Sequence, residues 1–266
     1  MTEFREQELD GARFERVSLR EATFSDVYLT DAMIRDVDLT GAQFRLVRFK
    51  SVRMRGVELV DVDISGELRN VVINGVDVVP FVEAELNRRM PERAKMRPDT
   101  ADGFRDAWAA IERLWDATVE RARTFPEEEL HRSVGGEWSF IQTLRHLAFA
   151  SACWVDRMIL GDPSPWRPLE LPWDEAPTGE WFSWDRDARP SLDEALALRH
   201  ARQATVRDVM AKLTDEWLGE TVTRTEPGHP HEENFPVKDC LLVLLNEEWE
   251  HRLYAERDLG LLTREG

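Results

Sequence analysis

Cysteine is nearly absent. The 266 residues hold two, Cys153 and Cys240, both inside apolar helical patterns, which excludes a disulfide framework and fits reduced thiols. Long apolar runs are missing too. The longest, Cys240 to Leu245, is far short of the roughly 18 residues that span a bilayer, and the start Met-Thr-Glu-Phe-Arg-Glu carries no apolar signal stretch. Basic charge is in deficit, with 35 Lys and Arg against 52 Asp and Glu and a net charge of −17. That balance argues against general affinity for nucleic acid or for anionic membrane. The expectation is a soluble cytoplasmic protein with a small-molecule substrate and neither nucleic acid nor membrane as a partner. With 42% hydrophobic and 33% charged residues over this length, two domains with at least one good core are the natural reading.

A period of five residues dominates the N-terminal part. Large apolar residues stand at Phe4, Leu9, Phe14, Leu19, Phe24, Leu29, Ile34, Leu39, Phe44, Phe49, Met54, Leu59 and Ile64. Two residues before each, from Ala12 and Val17 to Val62, the residue is Ala or Val, and the other three positions are mostly polar. Five matches neither the 3.6 of a helix nor the 2 of a strand, so the segment must turn a corner every five residues. Four corners close a square coil, with large residues filling its centre. This pattern resembles the pentapeptide-repeat family, and the resemblance implies a right-handed quadrilateral β-helix over residues 4–66. Leu68 to Val79, around Asn74-Gly75, reads as β-rich closing turns, which puts the whole β-helix at 1–79. Residues 80–99 read as a capping helix up to Met90 followed by a linker.

From Thr100 the period becomes helical. Phe104, Trp108, Ile111, Trp115 and Val119 step by three and four, predicting an amphipathic helix over 100–124. A second, apolar helix is expected over 138–160. A third starts at the capping box Ser191 to Glu194 and carries Leu196, Val206, Met210, Leu213 and Trp217 inward, and a fourth runs from near Pro236 to about Leu259. Four such helices predict an up-down four-helix bundle over 100–266, so the whole is an α+β multidomain chain. The long connection Gly161 to Pro190 holds Trp166, Trp173, Trp181 and Trp184. Connections of that length are usually functional lids or crossovers.

The fourth helix carries a stripe, Cys240, Leu244, Glu247, His251 and Tyr254, that places a carboxylate and an imidazole where a core helix would use leucine. An unpaired buried carboxylate costs several kcal/mol, so Glu247 must be paired, exposed or bonded to a metal. His146, inside the apolar Leu144-Arg145-His146-Leu147, is the third candidate ligand. Together the three would form a two-histidine, one-carboxylate site for a divalent metal such as Zn, Ni or Fe, with open positions for water or a thiol. A plain hydrogen-bonded Glu–His pair is the competing reading. Glu248, one residue along, is either a catalytic base behind the ligands or an ordinary solvated charge, and the solvated reading is preferred. His229 and His231 read as a surface loop. Trp138 and the four connection tryptophans are the candidates for substrate binding.

Gly136-Glu137-Trp138-Ser139, Leu144-Arg145-His146-Leu147 and Asn246-Glu247-Glu248-Trp249-Glu250-His251-Arg252 resemble the DinB-like four-helix superfamily over roughly 100–262. That resemblance implies a metal-dependent S-transferase, isomerase or hydrolase of the mycothiol-dependent kind, with a low-molecular-weight thiol as co-substrate. The family's usual pattern is three histidines; His146 and His251 match, and Glu247 stands at the remaining position. A rival reading is a non-catalytic interaction protein, either a scaffold or a DNA mimic that binds a topoisomerase. Residues 1–66 carry a net charge of only −3, with Arg45, Arg48, Lys50, Arg53 and Arg55 clustered. The remaining −14 lies in the helical part, which argues against the mimic. The open end of a β-helix offers a surface for homodimerisation.

Overall fold

The computed structural model describes residues 4–25, 27–44, 47–174, 176, 182–230 and 234–265. The chain separates into two compact units, Met1–Ser65 and Gly66–Gly266. In the first, the backbone turns with the expected period: left-handed φ values recur at Glu6, Gly11, Arg16, Glu21, Asp31, Asp36, Gly41, Ser51, Gly56 and Asp61. The alternation of Ala and Val has a counterpart in the turns. Ala12, Ala22, Ala32 and Ala42 each donate a backbone hydrogen bond to the leucine three residues earlier, closing a β-turn around the left-handed residue.

Two expectations are not met among the described residues of this unit. No strand forms there, and the large apolar series does not fill a centre, since its members range from 44% exposed at Leu9 to 68% at Ile64. The cause lies in the bonding. The turn bonds are local, whereas a filled coil needs ladders between successive turns of the coil, and the described backbone bonds of this unit include none.

The second unit opens with β1 (Val72–Ile73) and β2 (Val76–Asp77), antiparallel around Asn74-Gly75. Both turn residues have positive φ, 50° and 83°, the conformation that Asn-Gly accepts most readily. α1 (Val79–Arg89) has proline in its first turn. The expected linker is instead a 3-10 helix, Pro91–Met96, pinned by the Arg93–Glu83 ion pair at 2.7 Å and by buried Met96.

α2 (Ala101–Ala122) is capped by the Thr100 side chain, which accepts from Gly103 N–H, and buries Phe104, Trp108, Ile111 and Trp115. The four-residue α3 (Glu127–Leu130) follows. α4 (Phe140–Ser151) begins at a capping box of Ser139 and Gln142 and continues into a π-helix, Ala152–Ile159. α5 (Leu192–Lys212) starts at the expected capping box, Ser191 with Glu194. It stops earlier than the apolar pattern suggested. Leu213 is extended, and Trp217 lies in a separate short helix, α6 (Asp215–Leu218), capped by Thr214. β3 (Thr221–Thr223) pairs with β4 (Asn234–Pro236), and α7 (Val237–Glu265) runs past the expected end at Leu259.

α4 packs on α5 and α7, and α2 packs on the same two helices. Their shared core includes Phe104, Ile111, Trp115, Leu144, Leu147, Val206, Leu241 and Leu244. Cys153 and Cys240 are both free and buried. Among the described residues, no helix is long and apolar enough to cross a membrane.

Candidate metal centre

α7 sets Glu247 and His251 one turn apart, with His251 Nε2 3.2 Å from Glu247 Oε2. α4 brings His146 to the same oxygen, Nε2 to Oε2 at 3.3 Å. One potential ligand atom from each of the three residues lies within 4.8 Å of the other two. His146 is buried, and Glu247 and His251 keep partial exposure. The three side chains singled out in the sequence therefore do meet.

The second nitrogen of His146 fixes how this cluster can work. His146 Nδ1 lies 3.0 Å from the Leu171 carbonyl. A carbonyl can only accept, so Nδ1 carries the hydrogen and, in the neutral ring, Nε2 presents its lone pair. That lone pair faces a carboxylate oxygen, so two acceptors stand opposite each other with no hydrogen between them. Only a proton or a metal ion placed there satisfies both. Burial disfavours the proton, holding the His146 imidazole below its ordinary pKa against the opposing pull of Glu247. Burial also works to raise Glu247, but the two imidazoles that face it outweigh burial and hold the carboxyl well below the usual range. An ionised carboxylate beside a neutral imidazole is a donor set that fits a divalent cation.

The substrate-binding candidates fall at graded distances from this centre. Trp138 lies against His146, ring centres 4.4 Å apart, and stacks on His251 at 5.7 Å and 13°. Its indole N–H reaches across to Asp174 in the connection at 3.0 Å. Trp173 and Trp184 pack on Phe149, which packs on His146 at 6.0 Å. Trp166 is further removed: it is buried, donates to Cys153 Sγ at 3.3 Å and packs on Phe182. Trp181 and His231 lie outside the described residues.

Two expectations require correction. Glu248 is neither a solvated charge nor placed to act as a base. It is fully buried and held by both terminal nitrogens of Arg199, at 3.1 and 2.5 Å, and Arg199 in turn lies over the Trp115 ring. A carboxylate bound in that way is a structural anion. His229 is not a surface-loop residue, because its ring packs on Trp173 at 4.4 Å and on Phe149.

Sequence reasoning also passed over Phe149, Arg145 and the Leu171 carbonyl. Arg145 had a signal, a charge inside an apolar helix; the carbonyl had none, because a backbone atom leaves no mark on residue identity.

A family model described as the DinB superfamily matches residues 110–255, more than half of the chain and all three clustered side chains. The chain belongs to the DinB superfamily. A model of pentapeptide repeats, in eight copies, matches residues 2–36, so this DinB-superfamily chain carries an N-terminal pentapeptide-repeat segment. Neither the curated proteins nor the solved structures give a significant match.

Proposed function

We propose that the helical unit is a metal-dependent thiol transferase or hydrolase that acts on a small electrophile, with His146, Glu247 and His251 holding Zn, Ni or Fe. The observation that carries this reading is the pair of acceptors, His146 Nε2 and Glu247 Oε2, held 3.3 Å apart while Nδ1 is committed to Leu171. Three protein ligands leave coordination positions open, as catalytic centres require and closed structural sites do not. A metal bound there would lower the pKa of a coordinated thiol or water and so supply a nucleophile near neutral pH. Glu247 contributes a negative charge that is already ionised. Trp138 covers both imidazoles and keeps bulk water from that side. Trp173 and Trp184, half-buried and packed on Phe149, offer apolar surface to the electrophile.

In this reading the four long helices form an up-down bundle, and the repeat segment takes the corners of a right-handed quadrilateral β-helix although its apolar series stays exposed. The left-handed residues that recur every five positions among the described corners support those corners. The test is to incubate the protein with low-molecular-weight thiols and a panel of electrophiles, with and without added metal. Metal-dependent acceleration lost in His146→Ala supports the reading; equal rates with and without metal refute it.

A further inference from the structure

We infer that Arg145 is a positioning residue that sets the tautomer of its neighbour His146 by holding the connection in place; this rests on the reading of His146 as a metal ligand. Arg145 is fully buried in the middle of an apolar helix, yet among the described residues no carboxylate forms a salt bridge with it, the Asp185 carboxylate acting on it only as a nearby charge. Its guanidinium instead donates to four backbone carbonyls of the connection: Leu169 at 2.7 Å, Ala188 at 2.8 Å, Arg186 at 3.4 Å, and Asp185. Its own carbonyl accepts from Leu171 N–H at 3.3 Å. One residue of α4 therefore grips the connection at Leu169 and again from Asp185 to Ala188, and holds Leu171, the residue whose carbonyl binds His146 Nδ1.

The consequence follows from the direction of that last bond. A free neutral imidazole can place its hydrogen on either nitrogen, and only the tautomer with hydrogen on Nδ1 leaves Nε2 able to accept a cation. The Leu171 carbonyl selects that tautomer, and Arg145 keeps the carbonyl where it can do so. The neighbouring Glu170 adds a second anchor, buried and bonded to Arg202 at 2.8 Å and to Arg167 N–H at 3.0 Å. The long connection is in this respect a strap that shapes the site from behind. A carbonyl behind a ligating histidine raises its basicity and fixes its ring, and losing such support typically weakens metal binding by about 10–100-fold.

The test uses metal-free, full-length protein with 15N-labelled histidine, at a slightly alkaline pH where the ring is neutral. The nitrogen shifts of His146 report its tautomer directly, with no metal and no turnover involved. The wild type is expected to show one tautomer with hydrogen on Nδ1. Arg145→Met is expected to show a mixture, and Arg145→Lys, which keeps the charge but not the fork, an intermediate state. Arg199→Lys is the control, an equally buried arginine whose partner is Glu248, and it is expected to lose stability while leaving the tautomer intact. Zinc titration is expected to show affinity reduced roughly 10–100-fold in the Arg145 variants. If Arg145→Met does not fold, Arg145→Lys carries the comparison. A folded Arg145 variant that retains the single tautomer of the wild type overturns the inference, as does a wild type with hydrogen on Nε2. A tautomer shift in a protein that binds no metal upholds the clamp and refutes the metal reading alone.

Discussion

His146 and Glu247 lie 101 residues apart in the chain and 3.3 Å apart in space, and the two atoms that face each other are both acceptors. The Leu171 carbonyl behind His146 enforces this arrangement, and the functional reading depends on it.

The Arg199–Glu248 pair should matter for stability rather than for metal. Both side chains are almost wholly buried, 3% and 0% exposed, and removing one partner strands the other charge. Arg199→Met is expected to cost about 3–5 kcal/mol, read from chemical denaturation, with metal content per folded chain unchanged. A cost near zero, or a loss of metal from folded protein, contradicts the assignment.

Glu170 should give the protein a distinctive pH response. Burial pushes its carboxyl up to about 7 against the pull of Arg202. Between the ordinary carboxylate range and that value, the folded state holds a proton that the unfolded state has released. Stability contributed by this group therefore falls as pH rises towards about 7 and levels off above it, with a slope of at most about 1.4 kcal/mol per pH unit. Denaturation midpoints of the wild type and Glu170→Gln, compared from mildly acid to mildly alkaline pH, should diverge in that window. Parallel curves refute the prediction.

Gly228 sits where a side chain has no room. A Cβ there would lie 2.4 Å from the Trp166 ring and 3.0 Å from Arg157 Cζ, at a φ of +151°. Gly228→Ala is expected to destabilise the helical unit by about 1–3 kcal/mol, seen as a lower melting temperature. An unchanged melting temperature would show that the loop does not pack on Trp166 and Arg157 as described.

Much of this architecture was legible in the sequence because its cues are local and periodic. The five-residue corners, the Asn74-Gly75 hairpin, the Ser191 capping box and the four long helices follow from spacing and from side chains that cap their own backbones. What was missed depends on partners distant in the chain. Leu213 and Trp217 continue the apolar pattern of helix three, although Thr214 starts a new helix between them. Glu248 read as solvated because nothing near it in sequence announced Arg199. The three clustered side chains were found because Glu247 and His251 share a helix turn and His146 stands out among apolar neighbours. Leu171, a backbone acceptor, could be identified only from coordinates.

Elemental analysis of purified protein prepared without a His-tag tests the central claim most directly. The account predicts a stoichiometric divalent metal in the wild type, and its loss in both Glu247→Ala and His251→Ala while each variant stays folded. Wild-type protein that takes up no zinc, nickel or iron when these are supplied, or variants that keep the full wild-type content, would contradict it.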